Sequence, residues 1–216
     1  MEKVDQFIEK LNNFIPGSLF GLFSIISGII GDIIALSMFP EYNFMEMAVS
    51  ALCLGPGGLF FNLGNTFSGI FALIFVNYLG STFTENDNNK NQIRGANITA
   101  NIACISFIFL GVFCGSNIVI KYLHGTAAIL SYWFGLCYIT LYNILMIKDP
   151  NYSEYLGYFG FFVSFIFALL IILFFLHLFP SLFFLHLLLP LIEWASTIAV
   201  ILWYFFIPAY MIYKKI

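Results

Sequence analysis

Reading the chain only for hydrophobic and polar positions gives long apolar runs broken by short polar stretches. A helix needs about 20 apolar residues to cross a bilayer. Six runs meet that length, at roughly 17–39, 58–79, 96–116, 121–147, 155–178 and 191–213. Ahead of them, residues 1–16 set Val4, Phe7, Ile8, Leu11, Phe14 and Ile15 at helical spacing against Glu2, Lys3, Asp5, Glu9 and Lys10. That pattern predicts an amphipathic segment lying in the membrane interface. Its acidic flank and the lack of an A-x-A site argue for retention rather than cleavage. Residues 177–190, HLFPSLFFLHLLLP, are apolar but carry two prolines, and they read as a tight turn with embedded flanks. The expectation is an all-α polytopic membrane protein, with residues 17–216 forming a single bundle of six transmembrane helices.

Composition excludes the alternatives. Hydrophobic residues make up 61% of the chain and charged residues 9%, and the mean hydropathy is +0.95. A soluble domain carries roughly 25% charged residues. Eight scattered basic residues and a net charge of -3 form no phosphate-tracking stripe, so nucleic acid is not an expected partner. The expected partner is membrane lipid. The four cysteines, Cys53, Cys104, Cys114 and Cys137, show no C-x-x-C pair, and the expectation is apolar packing rather than zinc or disulfides.

The positive-inside rule orients the spans. With six crossings, one side collects Lys3, Lys10, Lys90, Arg94, Lys148, Lys214 and Lys215, and the other only Lys121. Both termini are therefore expected in the cytoplasm, with the protein in the cell membrane. The first span carries small residues at Gly17, Gly21, Ser24, Gly28 and Gly31, a stripe that lets another helix approach closely. Beside it stands Asp32. A carboxylate at the bilayer centre costs about 2.5–3.5 kcal/mol on insertion scales and marks a functional position. Asn62 and Asn65 in the second span point inward by spacing. His124 opens the fourth span and Glu193 the sixth. The orientation puts Asp32, Glu46, Ser50, Asn62, His124, His177 and Glu193 on the outer side, which predicts an outward polar pocket.

The run AVSALCLGPGGLFFNLGNTFSGI, Ala48 to Ile70, has S-x-L, then G-P, then F-N opening a helix. With His124 and the Glu193-Trp194 pair, it resembles the family called domain of unknown function 998. The resemblance covers most of the membrane region and implies six spans without an assigned reaction. It also implies a distant similarity to the eukaryotic FRAG1/DRAM/Sfk1 group, some of whose members remodel or distribute lipids, including the lipid of GPI anchors. Carried over by position, the family pattern falls on Ser50, Asn62, His124 and Glu193.

These residues admit several chemistries. Ser50 and His124 with Asp32 or Glu193 make a triad-like catalytic set, although no G-x-S-x-G elbow is present. His124 and His177 with Glu193 or Asp32 are donor types that suit zinc, but no H-x-x-x-H spacing occurs, and neither metal nor cofactor is expected. Asp32 and Glu193 could hold an ion for a coupled transporter, although no internal repeat relates the two halves. Glu46, Asn62, Asn65 and His177 are the ligand-binding candidates. Lipid handling through the outer pocket is the leading expectation, with an ion-coupled transporter or a membrane-embedded lipid hydrolase or transferase as alternatives.

Overall fold

The ends of the helices follow from local chemistry. Pro16 stands immediately before the first helix, and Gly55-Pro56-Gly57 before the second. The computed structural model describes residues 15–176 and 187–216. Its helices are α1 Gly17–Ser37, α2 Gly58–Thr82, α3 Lys90–Val112, α4 Ile118–Lys148, α5 Glu154–Leu176 and α6 Leu189–Lys214. All six are long and apolar enough to cross a membrane. A short 3-10 helix, Val49–Leu54, lies between α1 and α2. There is no strand among the described residues.

Most boundaries shift by a few residues from the sequence expectation, and those of α3 and α6 have local causes. α3 starts at Lys90 rather than near Ala96, because its polar first turn extends the helix beyond the apolar run. It stops at Val112 rather than Ser116, so Cys114 lies in a loop. α6 starts at Leu189 rather than Leu191, with Pro190 in the first turn, where a missing N–H breaks no helical bond. Residues 1–14, and with them most of the expected interfacial segment, lie outside the described residues, as does 177–186 of the proline-rich turn.

Helix faces are sorted in the sense expected in hydrocarbon. α1 buries Gly17, Ser18, Gly21, Ser24, Gly31 and Ala35 and exposes Ile26, Ile30 and Ile33. α2 buries Gly64, Asn65, Ser68 and Gly69 and exposes Leu59, Leu63 and Phe67. In each, the exposed face is the more apolar one. Small residues let the backbones touch. A Cβ on Gly31 would stand 2.7 Å from the Phe60 carbonyl oxygen and 2.9 Å from the Gly64 Cα. A Cβ on Gly64 would meet the Gly31 Cα at 2.8 Å. Ser24 and Ser68 share a hydrogen bond of 3.1 Å along the same seam.

Each helix packs on the one before it, and α1 also packs on α6, so the six close into a ring in chain order. One end of the ring is solid. Val76, Leu79, Ile139, Tyr142, Met146 and Trp203 are all fully buried there. Most of the polar groups around them are paired, although the Asn143 side-chain amide nitrogen is buried without a partner among the described residues. Asn77 and Asn101 exchange reciprocal amide bonds of 2.8 and 3.1 Å between α2 and α3. The Tyr142 hydroxyl lies 2.7 Å from Asn97 Oδ1 and 2.8 Å from the Val76 carbonyl. Trp203 donates its indole N–H to Asn143 Oδ1 at 3.2 Å.

The cysteines require a correction. Cys53, in the 3-10 helix, and Cys114, in the loop between α3 and α4, form a disulfide, while Cys104 and Cys137 are free thiols. The two partners are 61 residues apart. Only the packing of the helix ring brings their loops together, so sequence spacing carried no sign of the bond.

Two outcomes follow from this packing. Gly31→Leu should destabilise the protein by about 1–3 kcal/mol, the usual cost of overpacking, whereas Gly28→Ala, whose Cβ would have Ser68 Oγ at 3.5 Å as its nearest neighbour, should be tolerated. Thermal unfolding of both variants in detergent checks this. Denatured without reductant, the chain should react with maleimide at Cys104 and Cys137 only, and at all four cysteines after reduction, as read by intact-mass spectrometry.

Candidate functional site

The end of the ring opposite the solid core is hollow. A cavity of about 560 Å³ lies there, and all six helices and the 3-10 helix contribute to its wall. The helices alternate in direction, so the contributing stretches fall at one level. They come from the second half of α1, the first half of α2, the second half of α3, the first half of α4, the second half of α5 and the first half of α6. The wall is mainly apolar and aromatic. Its floor holds the Tyr138 and Tyr204 hydroxyls, 3.1 Å apart, with Cys104 beside them.

Four sequence candidates meet on this wall: Asp32 from α1, Ser50 from the 3-10 helix, His124 from α4 and Glu193 from α6. Among the described residues no hydrogen bond links His124 to Ser50 or to either carboxyl group. Glu193, 5% exposed, accepts a hydrogen bond of 3.0 Å from the Ser50 backbone N–H. His124 Nδ1 donates to the Phe113 carbonyl at 2.8 Å, since a carbonyl can only accept. Asp32 Oδ1 is buried without a hydrogen-bond partner. Asn65 also lines the cavity, with its amide N–H on the Phe61 carbonyl at 3.1 Å.

The remaining candidates lie elsewhere. Asn62 is three residues from Asn65, and its Oδ1 is buried and unpartnered, but it is not part of the cavity wall. Its backbone oxygen faces Gly111 of α3. Glu46 is exposed on the loop and away from the cavity. His177 lies outside the described residues. Among those residues, no group of three His, Cys, Asp or Glu side chains is placed to hold a metal.

The loop from Met38 to Gly57 covers part of the cavity, with Ala48, Val49 and Ser50 on the wall. Three ties hold it. The disulfide joins it to the α3–α4 loop, and the Ser50–Glu193 bond joins it to α6. Trp194 Nε1–H donates to the Tyr42 hydroxyl at 2.9 Å, and that hydroxyl in turn lies 2.9 and 2.8 Å from the Met47 and Ala48 carbonyls. Burial, reinforced by the nearby carboxylates of Glu193 and Asp32 and offset in part by the Trp194 bond, pushes the Tyr42 phenol up to about 12. It therefore remains a neutral donor at physiological pH. Glycine makes the loop fit: a Cβ on Gly57 would stand 2.5 Å from the Ala35 Cα.

The sequence did not mark Ser196, Thr197 and Tyr132 as wall residues, yet all three line the cavity. Ser196 and Thr197 follow Glu193 by three and four residues, so they belong to its helix face. That spacing was the available signal. On another side the wall is thin: Ile129 and Trp133 of α4 and Phe175 of α5 line the cavity and are also about half exposed on the outer surface. Trp133 and Phe175 meet edge to face at 6.5 Å.

Compared with protein-family models, with curated proteins and with solved structures, the chain shows no significant match.

Proposed function

We propose that this integral membrane protein binds membrane lipid in its cavity and handles it there, with the cavity opening toward the outer face of the cell membrane and both termini in the cytoplasm. One observation carries the reading: an apolar cavity of about 560 Å³ set among membrane-crossing helices, with a few polar groups on its wall and aromatic side chains shared with the outer surface. The volume falls within the ~300–1,000 Å³ of ordinary ligand pockets. An amphiphile suits such a wall, since its chain meets the apolar surface and its head meets Asp32, Asn65, His124 and Glu193.

Two features support the orientation. Lys90, Arg94, Lys148, Lys214 and Lys215 sit at the solid end and Lys121 at the cavity end, as the positive-inside rule requires of an outward cavity. The disulfide joins two loops at the cavity end, and disulfides persist on the oxidising side of a membrane. Kinship with the domain of unknown function 998 proteins belongs to the same proposal and rests on the motif residues alone. Hydrolysis is less favoured, because among the described residues no hydrogen bond joins His124 to Ser50 or to either carboxyl group. Transport is less favoured, because the polar groups at the solid end pair with one another and line no path.

The full-length protein purified in mild detergent should carry co-purified lipid detectable by mass spectrometry. Asp32→Asn combined with His124→Ala should lower its occupancy about tenfold, the equivalent of ~1.4 kcal/mol. Lipid content unchanged in that double variant would count against the proposal.

A further inference from the structure

An account of hydrogen-bonding capacity on the cavity wall points to the kind of head group it accepts. Several donors there are committed to the protein itself, while Ser50, Ser131, Tyr132 and Trp133 bring further donors to the wall. Ser196 Oγ and Thr197 Oγ1 both donate to the Glu193 carbonyl, at 2.8 and 3.0 Å. Asn65 directs an amide N–H to Phe61, His124 its Nδ1–H to Phe113, and Ser24 and Ser68 pair with each other. Acceptor capacity is concentrated at the carboxyl oxygens of Asp32 and Glu193 and the spare lone pairs of Ser196, Thr197 and Asn65. Among the described residues the wall contains two carboxyl groups and no lysine or arginine. Asp32 Oδ1 is buried and has no partner among the described residues, and buried polar atoms are ordinarily paired.

Resting on the lipid-handling reading, we infer that the cavity selects an amphiphile whose head group carries a protonated primary amine. An ammonium offers three donors and one positive charge, which matches unpaired acceptors and carboxyl groups. A sulfate or phosphate without an amine offers only acceptors and negative charge, and no lysine or arginine among the described wall residues would meet it. A hydroxyl offers one donor and no charge. Asp32 is the primary contact, because its Oδ1 is the unpartnered atom. Glu193 is the second, although one of its oxygens already holds the Ser50 loop.

The test uses the full-length protein in a non-ionic maltoside detergent and four probes of one chain length: tetradecylamine, tetradecyltrimethylammonium, tetradecanol and tetradecyl sulfate. Binding is read by native mass spectrometry and by thermal shift. The primary amine should bind at least about tenfold more tightly than the alcohol, the quaternary ammonium should fall between them, and the sulfate should bind weakest. Asp32→Asn should remove most of the amine's advantage and leave the alcohol's affinity unchanged. The wild-type ranking is informative by itself, so a variant that fails to fold does not rescue the idea. Equal binding of alcohol and amine, or preference for the sulfate, overturns the amine inference and leaves the lipid reading standing. If no probe binds, both fail.

Discussion

Polar groups within hydrocarbon must be satisfied from inside the protein, and that constraint organises this molecule into two unlike halves. At the solid end it is met for the most part, with Asn143 Nδ2 a buried exception. Asn77 and Asn101 satisfy each other, Tyr142 reaches Asn97 and the Val76 carbonyl, and Trp203 reaches Asn143. The pairs tie α2 to α3, α3 to α4 and α4 to α6, so polar groups there act as interhelical fasteners. At the other end the helices leave a cavity. There the same kinds of residue are only partly paired, and Asp32 Oδ1 is left without a partner. A structural role explains the first set and not the second.

Close backbone contact makes this division possible. α1 and α2 touch at Gly31 and Gly64, which holds the α1 backbone against α2 close to where Asp32 departs from it. A bulkier pair would force the helices apart and displace the Asp32 wall. The loop that follows α1 is then anchored in three ways, by a disulfide, a buried carboxyl group and a tryptophan–tyrosine hydrogen bond. Glu193 and Trp194 are neighbours in sequence, so one turn of α6 receives two of the anchors. Glu193 thus has two duties, one oxygen serving the loop while its side chain also forms part of the cavity wall.

The resemblance noted in the sequence falls on the same parts of the fold. The Ala48 to Ile70 run contains the 3-10 helix, one disulfide partner and the tight Gly57 passage against Ala35. Its glycines and proline set the loop's path, and its serine contributes a backbone N–H to Glu193. Asn62 is half-buried with its backbone oxygen beside α3 and is not on the cavity wall, so a motif position can serve helix packing as well as a ligand.

Hydropathy by itself determined the number of crossing helices, because a helix in hydrocarbon needs a long apolar run whatever surrounds it. Small-residue spacing identified the α1 stripe, and the costly carboxyl groups and the histidine named Asp32, Glu193 and His124 as positions of interest. Alternating helix direction was enough to expect these on one side. Hydrogen bonding was not legible, because it depends on side-chain direction and on loops that meet only after the ring closes. That is why the Cys53–Cys114 bond, the use of the Ser50 backbone rather than a triad, and the separation of Asn62 from Asn65 came only from the tertiary structure. The cavity belongs to that second class as well. It is the space left among six packed helices, and no single helix encodes it.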